Sequence, residues 1–211
     1  MNKKRLQLFT FLLAMAIFLT SCGGITHGIT YGRIENGHYV DDEFRVKFKF
    51  PDGTTPSNDW TKRSRWNLNT RQVDFQQNKE SQIDNKFYAL IVYYERFENP
   101  YKSVIPEAIE LELKLFKEQI EVGSNLSERS EGYNLNIMEK NTSEETAFGT
   151  QGYLIFSFYE EPLKSELVFY HRYVLKNDFL IQVRCTSKKV NFNREAIDKM
   201  TGDIITSLEF F

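Results

Sequence analysis

The 211-residue chain holds only two cysteines, Cys22 and Cys185, and three histidines, His27, His38 and His171. So few thiols cannot build a disulfide framework, and packing must carry the stability of the fold. Neither a His-Glu-x-x-His pair nor a Cys-x-x-Cys pair occurs, which removes the usual zinc patterns. A Gly-x-Ser-x-Gly nucleophile elbow is missing. Gly23, Gly24, Gly28 and Gly32 cluster near the N-terminus instead of forming a phosphate-cradling loop ahead of a helix. Asp41-Asp42-Glu43 lacks the spaced oxygen ligands and the glycine of a calcium loop. Positive charge is not in excess, with 27 basic against 29 acidic residues, so no basic face for nucleic acid is expected. No apolar run reaches the roughly 20 residues that span a bilayer core. These absences leave no coherent catalytic set, and no cofactor or metal is expected.

The most specific pattern lies at the N-terminus. Lys3, Lys4 and Arg5 precede a short apolar stretch from Leu6 to Leu19, and Leu19-Thr20-Ser21-Cys22 closes it. Basic charge, short apolar length and small residues in that order read as an export signal rather than a permanent helix. The closing tetrapeptide resembles the lipobox of bacterial lipoproteins, which implies lipidation of Cys22 and removal of residues 1–21. Two or more acyl chains hold a protein stably at a bilayer, at about 0.8 kcal/mol per buried methylene. The expected organisation is a signal peptide (1–21), a flexible tether (22–32) and a single domain (33–211). Taking Lys3, Lys4 and Arg5 from the 27 basic residues leaves 24 against 29 acidic ones, a formal net charge of −5. No Asp follows Cys22 directly, which favours an outer-membrane address over the inner membrane if the cell has two.

Downstream, Phe44, Val46, Phe48 and Phe50 alternate with Arg45, Lys47 and Lys49 as in a half-buried strand. Pro51-Asp52-Gly53 carries turn chemistry. Residues 54–70 are polar and read as a loop, followed by a short strand at Val73–Gln77. Phe87–Tyr94 is apolar on both parities, as in a central strand. Pro106 opens a helix whose stripe is Ile105, Ile109, Leu113, Phe116 and Ile120, widened by Leu111 and Leu115, with Gly123 as its C-cap. Tyr153–Tyr159 forms a strand, and Leu167–Val174 with Phe179–Cys185 forms a hairpin around Lys176-Asn177-Asp178. Cys185 shares parity with Phe179, Ile181 and Val183 and so points inward. Asn193 caps a last helix, with Phe192 and Ile197 as a hydrophobic staple, and Leu208–Phe211 returns as an edge strand or tail. The class expected from this order is α+β: an antiparallel sheet with two main helices packed on it.

Phe48-Lys49-Phe50-Pro51-Asp52-Gly53, one amphipathic helix, paired long strands and Ile204-Ile205-Thr206-Ser207-Leu208-Glu209-Phe210 together resemble the PsbP-like family. That family includes the photosystem II protein PsbP and the bacterial DcrB lipoproteins. The resemblance implies an α/β/α sandwich around an antiparallel sheet, and a binding or assembly module rather than an enzyme.

Candidate functional side chains are few. Trp60, Lys62, Arg63, Arg65 and Trp66, with Arg71 nearby, form the one basic–aromatic cluster, suited to an anionic glycan, a lipid headgroup or a partner protein. The carboxylate pairs Glu110 with Glu112, Glu144-Glu145 and Glu160-Glu161 are expected to face solvent, as is usual for such neighbours. The function expected is that of a non-enzymatic, membrane-tethered envelope protein with a protein partner. The alternative is a small-ligand or glycan binder that uses the Trp60–Trp66 region.

Overall fold

The computed structural model describes residues 28–63, 69–77, 87–96, 104–126, 135–160 and 164–211. Its strongest local signal is the hairpin of β9 (Ser165–Lys176) and β10 (Phe179–Lys188). Lys176 pairs with Phe179, leaving Asn177-Asp178 as a two-residue turn. Asn177 takes a φ of 56° there, a conformation that asparagine tolerates better than most residues.

Around this hairpin a seven-stranded sheet forms in the order β4-β5-β6-β10-β9-β8-β7. The flanking strands are β4 (Thr54–Arg63), β5 (Asn69–Gln77), β6 (Phe87–Arg96), β7 (Asn136–Thr146) and β8 (Gly149–Glu160). Every neighbouring pair is antiparallel. A smaller sheet has the order β1-β2-β3-β11, from β1 (Arg33–Glu35), β2 (His38–Asp41), β3 (Val46–Lys49) and β11 (Glu209–Phe210). Helix α1 spans Val104–Leu126 and α2 spans Arg194–Thr206.

The large sheet buries both faces. On one face Leu154, Phe156, Tyr173, Leu175 and Leu180 pack against Ile105, Ile109 and Leu113 of α1. Phe156 and Phe158 stack on Phe169 with ring centroids 4.9 and 5.1 Å apart, and Phe116 meets Phe156 edge-on at 4.8 Å. Such pairs add about 0.5–1.5 kcal/mol each beyond the area they bury. On the other face Val73, Leu90, Val92, Val183 and Cys185 face a layer built from Tyr39, Val46 and Phe48 of the small sheet and Ile197, Ile204 and Ile205 of α2.

That second layer corrects the expected class. The protein is mostly antiparallel β-structure, with eleven strands and two α-helices among the described residues, and not an α/β/α sandwich with two main helices. The reason is the return of the C-terminus. Glu209 and Phe210 pair with Lys47 and Val46, completing a sheet of short strands that shares with α2 the face a helical layer would have taken. Other differences have local causes. Residues 54–70 are not a loop: β4 and β5 occupy most of that stretch, and a bulge between Pro56 and Asn58 hides the period-two pattern. Helix α1 runs past Gly123 to Leu126. Leu111 and Leu115 are exposed, at 57% and 49%, so the apolar stripe is narrower than expected. Asn193 does cap α2, its side chain accepting from the Ala196 N–H at 3.2 Å.

Candidate functional site

Charged and aromatic side chains gather at three places. The first joins the start of the domain to the edge of the large sheet. Asp59 on β4 is 2% exposed. Its Oδ1 accepts from the backbone N–H groups of Thr30 (2.6 Å) and Tyr31 (3.1 Å), and its Oδ2 from Gly32 (2.7 Å). The Tyr39 hydroxyl donates to the same Oδ2 at 2.9 Å. Burial alone would raise the Asp59 pKa, but the three N–H groups and the hydroxyl outweigh it, so the net direction is down. Residues 30–32, the end of the expected tether, are therefore fastened to the sheet. Gly32 has to be glycine, since a Cβ there would fall 2.3–2.5 Å from the Tyr39 ring.

Beside this lies Arg71 of β5, fully buried. Its Nε donates to Asp41 Oδ2 (2.8 Å) and its Nη2 to Glu43 Oε2 (3.0 Å), while Tyr94 donates its hydroxyl to Asp41 at 2.6 Å. The Tyr31 ring covers the guanidinium at 4.4 Å, and Phe44 lies 4.9 Å away. Burial disfavours the cation, yet the adjacent Asp41 more than offsets this, so Arg71 stays charged. Arg71 is thus an interior structural residue, bound to an acid 30 residues away in the chain.

The second cluster pins α1 to the sheet. Glu112 is 7% exposed, which corrects the expectation that Glu110 and Glu112 both face water. Glu110 does, beside Lys140. Glu112 Oε1 lies 2.9 Å from His171 Nδ1 and 3.4 Å from Arg184 Nη2. His171 Nδ1 approaches the carboxylate without an aligned hydrogen bond to it. Tyr173 donates its hydroxyl to Oε2. Burial would push the Glu112 pKa up, but His171, Arg184 and Tyr173 prevail and bring it down to about 2. Phe156 packs edge-on against His171 at 5.4 Å.

The third place is open to solvent. A groove of about 420 Å³ runs between Pro51 and Ser207, but its lining is mixed and holds no concentrated chemistry. A narrower one, about 280 Å³, is lined by Glu144, Gln151, Tyr153, Tyr170, Arg172, Arg194 and Asp198. The strand pairing β7-β8-β9 and the first turn of α2 create it. Arg194 lies between two rings, its guanidinium carbon 5.0 Å from the Tyr153 centroid and 5.3 Å from that of Tyr170. It donates to Asp198 Oδ2 (2.6 Å) and to Glu139. Tyr170 donates to Asp198, and Tyr153 to Glu139. Arg172 donates to Gln151 Oε1 at 2.9 Å and forms no ion pair among the described residues. The groove is therefore preorganised, with one arginine clamped and another left with neutral partners.

The residues expected to act fall unevenly. Trp60 is half-buried on β4, opposite Gln72. Lys62 and Arg63 end that strand opposite Thr70 and Asn69. Arg65, Trp66 and Cys22 lie outside the described residues. His38 turns its Nδ1 to the Asn36 carbonyl at 2.9 Å. Cys185 is buried, and burial pushes its thiol up to about 12. Sequence reasoning missed Asp59, Glu112, Arg172 and Arg194. A signal existed for Glu112 alone, which stands three residues after Ile109 and four before Phe116, on the buried stripe of α1.

No protein-family model and no curated protein matches this chain. Among solved structures it is similar to PsbP of the cyanobacterium Synechocystis sp. PCC 6803, at 12% identity and a TM-score of 0.45, over 90% of this chain and 97% of that one. A Bacteroides thetaiotaomicron protein is similar at 13% identity and a TM-score of 0.41, over 84% of this chain and 49% of its own. A Pseudomonas aeruginosa protein of unknown function is similar at 10% identity and a TM-score of 0.38, over 82% and 95%. Similarity at these levels carries no activity or partner with it.

Proposed function

We propose that this protein is a lipid-anchored component of the bacterial envelope that acts by binding a protein partner, as a non-enzymatic assembly module. The anchor rests on Lys3-Lys4-Arg5, the apolar stretch and Leu19-Thr20-Ser21-Cys22. No helix among the described residues is long and apolar enough to cross a membrane. The observation that carries the binding reading is the groove in which Arg194 lies against Tyr153 and Tyr170 beside Arg172. Tyrosine and arginine dominate the energetic centres of protein interfaces. The buried clusters support the same reading, because Asp41 is taken up by Arg71, and Glu112 lies against His171, inside the fold.

A photo-crosslinking residue at Glu144, tested in intact cells, addresses this reading. The expected result is a discrete adduct that falls at least fivefold when Arg172→Ala is added, while fatty-acid labelling persists and is lost in Cys22→Ala. A protein that stays alone, or an adduct indifferent to Arg172, refutes the groove as the binding surface. The second reading, a small ligand or glycan at the Trp60–Trp66 region, is favoured by the position of Trp60 on the outermost strand β4. Tryptophan fluorescence titration against Trp60→Ala separates the two.

A further inference from the structure

We propose that Asp59 is a clasp that fixes how the domain stands on the bilayer: it fastens the chain just beyond the lipidated cysteine, so that the exposed segment carrying Tyr31 and Ile34 rests at the headgroups. This deepens the preceding reading and rests on its lipid at Cys22. The geometry is that of a built socket. Three successive backbone N–H groups, of Thr30, Tyr31 and Gly32, converge on one buried carboxylate at 2.6, 3.1 and 2.7 Å. Tyr39 supplies a fourth donor, and Gly32 supplies the close approach that any side chain would block. Consecutive amides that converge on one anion form the nest arrangement found where a backbone binds negative charge. Here the anion is a side chain from a strand more than 25 residues later in the chain.

The consequence is a question of reach. Thr30 stands eight residues beyond Cys22, and eight residues span at most about 29 Å when fully extended. With the clasp open, and the exposed strand β1 peeled from β2, the first firmly held residue is His38, and sixteen residues reach about 58 Å. With the clasp open and β1 still paired, Arg33 is the first held residue and the reach is about 40 Å; clasp and strand together therefore halve the distance to which the domain can stand off and keep residues 30–34 toward the lipid. The fastened segment carries two exposed large apolar side chains, Tyr31 at 53%, one side of its ring on Arg71, and Ile34 at 49%. They stand nine and twelve residues after Cys22. Tyrosine is enriched at the level of lipid headgroups because its ring is amphipathic. The occupant facing this segment is thus the membrane to which the chain is attached.

The test uses the full-length lipidated protein in vesicles of phosphatidylethanolamine and phosphatidylglycerol. An environment-sensitive fluorophore is attached at Ile34→Cys or, as a remote control, at Lys114→Cys on the opposite side of the large sheet. Quenching by nitroxide-labelled lipid is then measured. The result expected is at least threefold stronger quenching at position 34 than at position 114. The contrast should collapse in Asp59→Asn, and also in Thr30→Pro, which removes one donor and leaves Asp59 in place. Equal quenching at both positions, or a contrast that survives in both variants, overturns the clasp. Mass spectrometry of the N-terminal peptide is read separately. Absence of lipid on Cys22 overturns the anchor as well, whereas lipid present with equal quenching overturns the clasp alone.

Discussion

Replacing Glu112 by Gln removes the charge that holds α1 to the sheet while keeping the volume of the side chain. In the folded protein the Glu112 pKa stands at about 2 against an ordinary value of 4.5. A depressed carboxylate pKa stabilises the fold above the unfolded value, and that stabilisation fades as pH falls through the window from about 4.5 down to 2. At 1.36 kcal/mol per pKa unit the full contribution is about 3 kcal/mol, present at pH 7 and gone near pH 2. Glu112 is too buried for solvent to screen much of this. Glu112→Gln also leaves His171 and Arg184 facing an amide in place of a carboxylate. By the same linkage, removing the carboxylate charge costs about 3 kcal/mol at pH 7. Urea unfolding of a soluble form starting at residue 23, at half-unit intervals from pH 3 to 7, measures both quantities. The native chain should lose stability on acidification below pH 4.5, and the variant should be about 3 kcal/mol weaker at pH 7 with a smaller acid slope. A variant within 0.5 kcal/mol of the native chain, or an unchanged slope, would refute the reasoning.

Two further predictions use the same soluble form. Ile109→Ala should cost about 2–5 kcal/mol, because the side chain is fully buried between α1 and the large sheet. Leu111→Ala, two residues on but exposed, should stay within about 0.5 kcal/mol; similar shifts in the two urea midpoints would contradict the observed helix rotation. Cys185 should resist thiol reagents at pH 8 in the native state, since burial holds its thiol up at about 12, and react fully in guanidinium. Rapid reaction of the folded protein would show that the strand leaves the core.

What could be read from the sequence was local. The β9–β10 hairpin was legible because alternating apolar residues flank Asn177-Asp178. The cap on α2 was legible because Asn193 sits one residue after Phe192 and four before Ile197. The inward parity of Cys185 was legible because a strand repeats every two residues. The illegible parts depend on partners far along the chain. Arg71 reads as a surface cation until Asp41 and Tyr94 surround it. Asp59 reads as one polar residue among many until residues 30–32 fold onto it. Strand β4 is edge-placed and bulged, so neither face keeps a clean period. Two strands of the small sheet were legible, β3 in the alternation of Val46 and Phe48 and β11 in Leu208–Phe211, whereas β1 and β2, three and four residues long, and the pairing of all four into a separate sheet were not. The groove has no sequence signature at all, since β7, β8, β9 and α2 each contribute only one to three of its lining residues.

The order of the large sheet has a consequence for how the molecule comes to be. Strands β4 to β6 form one meander and β7 to β10 another, each assembled from chain neighbours. The seam between them is β6 against β10, where Val92 meets Val183, and closing it brings together points about 90 residues apart, an entropic cost that sequence-local pairs do not bear. Contacts of such long range are slow to form. Until β10 arrives, the N-terminal meander presents β6 as a raw hydrogen-bonding margin whose residues are apolar on both sides, the kind of margin that recruits neighbouring chains. Whatever shepherds this polypeptide before it is complete has that one strand to shield.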